Sequence, residues 1–134
     1  MKDSILREMM SRWQSEGFSA ELQQQVLNHD DPELAYRFAY AVEKTDMDLM
    51  EEVILRSEDH RLVYDFALLK SERGGDIGRL QQRILGCEDP GLMTLFAADI
   101  EGADIEAFRD KLAQHPNPKF HHLFELEMRN KGYE

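Results

Sequence analysis

The stretch Asp89-Pro90-Gly91-Leu92-Met93-Thr94-Leu95-Phe96-Ala97, followed by Gly102-Ala103-Asp104-Ile105, decides how the rest of the chain is read. Aspartate at position 89 is a residue type that accepts a hydrogen bond from an orphan N–H at a helix start. Pro90 comes next, at the first helical position, where a missing N–H costs nothing. Leu92 and Phe96 are spaced to share one helix face. Gly102 suits the left-handed residue that closes a helix. Asp104 then opens a second helix, in which Ile105, Phe108 and Leu112 stand at i, i+3 and i+7. Helix, tight turn, helix is predicted.

The same pattern returns on both sides. Asp31-Pro32-Glu33-Leu34-Ala35-Tyr36-Arg37-Phe38-Ala39 aligns with it, as does Asp59-His60-Arg61-Leu62-Val63-Tyr64-Asp65-Phe66-Ala67. A further copy begins at Asn117-Pro118-Lys119-Phe120 and reaches Phe124. Positions 32, 60, 90 and 118 are equivalent, at offsets of 28, 30 and 28 residues. The two extra residues fall at Arg73-Gly74-Gly75. Second helices open at Asp46, Asp76 and Asp104, and Met47, Met50 and Ile54 match Ile77, Leu80 and Ile84. At the N-terminus a degenerate unit is expected, with one helix from about Ser4 to Ser15 and a second, capped by Ser19, carrying Leu22, Val26 and Leu27.

Helices this short are marginal alone in water, and each unit is too small to bury both of its apolar stripes. Stacking supplies the missing surface, which is the logic of a solenoid. No segment alternates with period two, so no sheet is expected. The chain therefore reads as one all-α domain over residues 1–134, a short α-solenoid of stacked helix–turn–helix repeats with about nine helices. The degenerate unit spans about 1–30, the repeats about 31–58, 59–88 and 89–116, and a C-terminal half-repeat 117–134. Phe38, Phe66, Phe96 and Phe124 are its core rings.

Asp-Pro, Phe-Ala, a Gly-Ala-Asp-Ile turn and a second apolar helix resemble the short two-helix repeats of uncharacterised bacterial and phage-encoded proteins, and distantly HEAT-type units. The resemblance covers about residues 17–128 and is best from Asp89 to Ala113. His60 replaces the usual proline, and Thr45-Asp46 replaces Gly-Ala-Asp. The resemblance implies an α-solenoid and no chemistry.

Composition bounds the function. The 134 residues carry a formal net charge of −11, with 42% apolar and 32% charged residues. That is enough apolar residue for a core. An acidic balance argues against a nucleic-acid ligand and against an anionic membrane surface. One cysteine, Cys87, permits no intrachain disulfide and fits a reducing cytosol, so a cytoplasmic protein is expected. The first residues lack the apolar stretch of a signal peptide, and apolar runs are far short of the roughly 20 residues that span a bilayer.

Chemistry is sparse. The histidines at 29, 60, 115, 121 and 122 form no zinc-ligand spacing. His115 and His121-His122 flank the last turn and read as solvated. No serine lies in a Gly-x-Ser-x-Gly turn, and Gly74-Gly75 is followed by Asp76, whose charge would repel a phosphate. No enzyme, metal or cofactor is expected. A protein partner with a basic surface is.

Part of the acid belongs to helix caps. Asp30, Glu58 and Glu88 do not; they precede the capping residues at equivalent positions and are expected to form a ridge. Asp48, Glu51, Glu52 and Glu101 add to nearby faces, together with Asp99 and Glu106. These carboxylates are the expected contact residues for an inhibitor or adaptor. Nucleic-acid mimicry by a phage-type anti-defence protein is one alternative, and a structural or assembly protein another. Trp13 is expected to pack on the next helix. Were Trp13 and Met10 exposed, an end-to-end homodimer through a terminal repeat would be the natural inference.

Overall fold

The computed structural model describes residues 7–8, 11–12 and 19–132. All regular structure among these residues is helical. The helices are α1 (Ala20–His29), α2 (Pro32–Ala41), α3 (Met47–Ile54), α4 (His60–Glu72), α5 (Gly78–Leu85), α6 (Pro90–Asp99), α7 (Ile105–Ala113) and α8 (Pro118–Asn130). Residues 7–8 and 11–12 are also helical. Trp13, Met9 and Met10, and most of the helix expected from Ser4 to Ser15, lie outside the described residues. No described helix is long and apolar enough to cross a membrane.

Contacts divide the chain into two compact units, Met1–Leu62 and Val63–Glu134. In the first, α1, α2 and α3 pack on one another. In the second, α5, α6 and α7 do so in the same pattern, and α8 packs on both α6 and α7.

The helix boundaries add a longer period to the 28–30-residue repeat. α2 begins at 32 and α6 at 90; α3 begins at 47 and α7 at 105; α4 spans 60–72 and α8 spans 118–130. Each pair is offset by 58 residues, so α1–α4 and α5–α8 are two copies of one four-helix pattern. Details outside the helices repeat too. The Gln23 side-chain oxygen accepts the Asp46 N–H at 2.8 Å, and the Gln81 oxygen accepts the Asp104 N–H at 2.7 Å. Gly74 and Gly132, beyond the ends of α4 and α8, both take positive φ, at 78° and 84°.

Cap chemistry explains where the helices start. The side chains of Ser19, Asp31, Asp46, Asp89, Asp104 and Asn117 each accept a backbone N–H of the helix that follows. Asp59 accepts the N–H groups of Arg61 and Leu62. Asp76 departs from this pattern. Ile77 holds the cap position of α5 without a side-chain cap bond, and Asp76 instead accepts the Gly78 N–H at 2.8 Å. The helix therefore begins one residue later, at Gly78, than α3 and α7 do after Asp46 and Asp104.

One turn is closed in two ways. After α6, Gly102 adopts φ +89°. At the equivalent place after α2 no residue takes a positive φ, and the Thr45 hydroxyl, buried, donates to the Val42 carbonyl at 2.5 Å.

Each unit has its own apolar centre. Leu22, Val26, Phe38, Met50 and Ile54 fill the first, and Phe66, Leu80, Ile84, Phe96, Phe108, Leu112 and Phe124 fill the second. The expected core rings Phe38, Phe66, Phe96 and Phe124 are all completely buried. Phe96 meets Phe108 with ring centroids 5.3 Å apart and Tyr64 at 6.4 Å. Such contacts add to the gain from burial alone.

Candidate functional site

The acidic residues expected to meet a partner divide once placed. Asp48, Glu52, Glu58, Glu88 and Glu101 are exposed. Glu51 is not: only 5% of its surface is accessible, because it lies on the same face of α3 as the core residues Met50 and Ile54. Burial removes it from any contact surface. Asp30 is exposed but engaged. It ends α1 in the left-handed conformation, with φ 51°, and its carboxylate is ion-paired to the Arg56 guanidinium. Glu106 is paired with Arg109, and Asp99 accepts the Tyr64 hydroxyl at 2.8 Å and faces Lys131 at 3.4 Å.

Among the exposed acids, Glu88 stands beside a feature of shape. A half-open groove of about 520 Å³ lies in the second unit, lined by Gly86, Cys87, Glu88, Pro90, Met93, Lys111, Leu112, Gln114, His115 and Pro116. Pro90, Met93, Leu112 and Pro116 give it apolar walls. Gly86 and Gln114 are the C-cap residues of α5 and α7. Two helix C-termini, with their negative dipole ends, therefore converge on it. α6 contributes its N-terminus, whose positive end is offset by Asp89 capping the Leu92 N–H. Glu88 on the rim has no ion-pair or hydrogen-bond partner for its carboxylate among the described residues. Lys111 is the one fixed cation lining the groove.

His115 is pinned. Its Nδ1 accepts the Asn117 N–H at 3.0 Å, and its ring meets Phe120 edge-on at 4.8 Å. His121 faces Glu125 at 3.7 Å instead. Among the described residues, no three His, Cys, Asp or Glu side chains gather as a metal site.

Cys87 lines the groove yet is buried, with its Sγ 3.9 Å from the Asp89 carbonyl. Burial pushes the thiol above its ordinary 9.0; the hydrogen bond to the Asp89 backbone opposes this, and the Asp89 charge adds to it. The folded state thus holds the thiol proton more tightly than the unfolded chain. This group leaves stability unchanged below pH 9.0 and lowers it only as pH rises past that value. Since the thiolate is the nucleophile, alkylation at pH 8 is expected to be slower in the folded chain than in denaturant, where the thiol is no longer buried. Equal rates would show the thiol to be open and ionisable.

Gln114, Lys111 and His115 were not singled out from the sequence as contact residues. A signal existed: Gln114 is 58 positions after Arg56, and Glu88 is 58 positions after Asp30. No family model matches the chain, and no match was found among curated proteins or solved structures.

Proposed function

We propose that the chain is a non-enzymatic protein–protein interaction module that engages a basic partner protein through its acidic surface, as an inhibitor or adaptor in the cytoplasm. In this reading the helix pairs stack as a short α-solenoid of about nine helices, with about residues 1–30 as its degenerate first unit. The observation that carries it is the set of exposed carboxylates with no capping task, Asp48, Glu52, Glu58, Glu88 and Glu101 among them, on a chain of net charge −11. A field of that sign steers a basic partner and disfavours acidic ones.

Affinity capture from the native host at low and high salt tests the reading. A basic protein should be retained at low salt and released at high salt, and the double variant Glu58→Lys/Glu88→Lys should lose it. A partner that withstands both salt and charge reversal contradicts the reading.

A further inference from the structure

Among the differences between the two copies of the four-helix pattern, one falls at the groove. In the first unit, the loop after α1 presents Asp30 and the end of α3 presents Arg56, and the two are ion-paired. In the second unit the same positions hold Glu88 and Gln114. The carboxylate is kept, the guanidinium is gone, and both residues line the groove.

The local backbone differs with it. α1 runs to His29, whereas α5 stops at Leu85, two residues short of the equivalent point. Gly86 stands where α1 has Asn28, and glycine is among the poorest helix formers. Cys87, in place of His29, turns inward and is buried. The loop before α6 therefore departs early, and Glu88 comes to lie on a rim instead of closing onto a cation.

We infer that this groove is the receptor for an arginine side chain of the partner protein, which supplies in trans the guanidinium that Arg56 supplies in cis in the first unit. The chemistry suits it. A guanidinium offers five donors in a planar fork and matches a carboxylate closely. Glu88 provides that carboxylate, the Gln114 amide oxygen provides a further acceptor, and the C-terminal ends of α5 and α7 add negative potential. An arginine also needs apolar surface for its methylene stem, and Pro90, Met93 and Pro116 provide it. Lys111 is the opposing charge, and it favours an arginine that enters from the Glu88 side. Among ligands of the same charge, lysine is the poorer fit, because its ammonium cannot bridge two acceptors in one plane.

This inference rests on the proposed basic partner and narrows it to one contact. The test is an NMR-detected titration of the full chain with a short blocked peptide, Gly-Arg-Gly, beside its citrulline counterpart, which keeps the shape and loses the charge. The arginine peptide should bind saturably and weakly, shifting amides of residues 86–88 and 113–115 and not those of 28–30 and 55–57. The citrulline peptide should bind at least about tenfold more weakly. Glu88→Gln should weaken the arginine peptide by a similar factor. Gln114→Arg should abolish its binding by filling the groove in cis, and a retained amide spectrum elsewhere shows that both variants fold. Equal binding of the two peptides, or binding indifferent to both variants, overturns the inference. A longer arginine-rich peptide separates the two levels. If it binds the wild-type and Gln114→Arg chains equally, the groove is wrong while the acidic surface stands. If it binds neither, both fall.

Discussion

Replacing Phe96 by alanine is expected to lower the unfolding free energy by about 3–5 kcal/mol, the usual range for deleting a buried aromatic ring. Phe96 is completely inaccessible, and its ring lies between Phe108 on α7 and Tyr64 on α4. Its removal deletes transfer free energy and two ring–ring contacts together. The backbone around it is held by the Asp89 cap and by the Ile100 N–H bonded to the Phe96 carbonyl, so the site cannot collapse freely to fill the void. Phe66→Ala should behave alike, for Phe66 is also fully buried. Denaturant unfolding reads the effect directly. A loss below about 0.5 kcal/mol, the scale of an exposed substitution, would mean that these rings are not the core of the second unit.

Gly75→Ala is expected to cost about 1–3 kcal/mol by overpacking. A Cβ at this position would stand 2.7 Å from Lys70 Cγ and 3.0 Å from Lys70 Cε. Lys70 cannot swing away as a surface lysine would. It is 3% exposed, and the Gly75 N–H is bonded to its carbonyl at 2.9 Å. The neighbouring Gly74 is a useful contrast, since nothing lies near its missing Cβ and its requirement is only the positive φ. The diagnostic is a double-mutant cycle. Truncating Lys70 to alanine removes the obstruction, so Gly75→Ala should be less damaging in the Lys70→Ala background than in the wild type. Additive effects would show that the two residues do not press on each other.

Much of the fold was legible because the signals that carry it are local. A cap, a proline at the next position and an apolar stripe at helical spacing are fixed by neighbouring residues. That is why Asp31, Asp89 and Asn117 start helices where expected and why Phe38, Phe66, Phe96 and Phe124 are buried. Asp76 was read as an equal of Asp46 and Asp104, but the cap position of α5 falls one residue later, on Ile77. The contact surface was less legible, for a different reason. Whether a carboxylate is open depends on residues far away in the chain. Asp30 meets Arg56 across 26 positions, and Glu51 is buried by the packing of α3. Charge composition states how much acid there is and not which of it remains open. The groove beside Glu88 was within reach of the repeat itself, once the 58-residue period is set beside the shorter one and Arg56 is matched with Gln114.

If the exposed acid binds a basic protein partner as proposed, the affinity of the chain for an arginine-rich peptide depends on ionic strength. Between about 50 and 300 mM salt, screening should weaken binding by at least about tenfold. Glu58→Lys/Glu88→Lys should weaken it at low salt and flatten the salt dependence. An affinity that is independent of salt and unchanged by the charge reversal would contradict the claim.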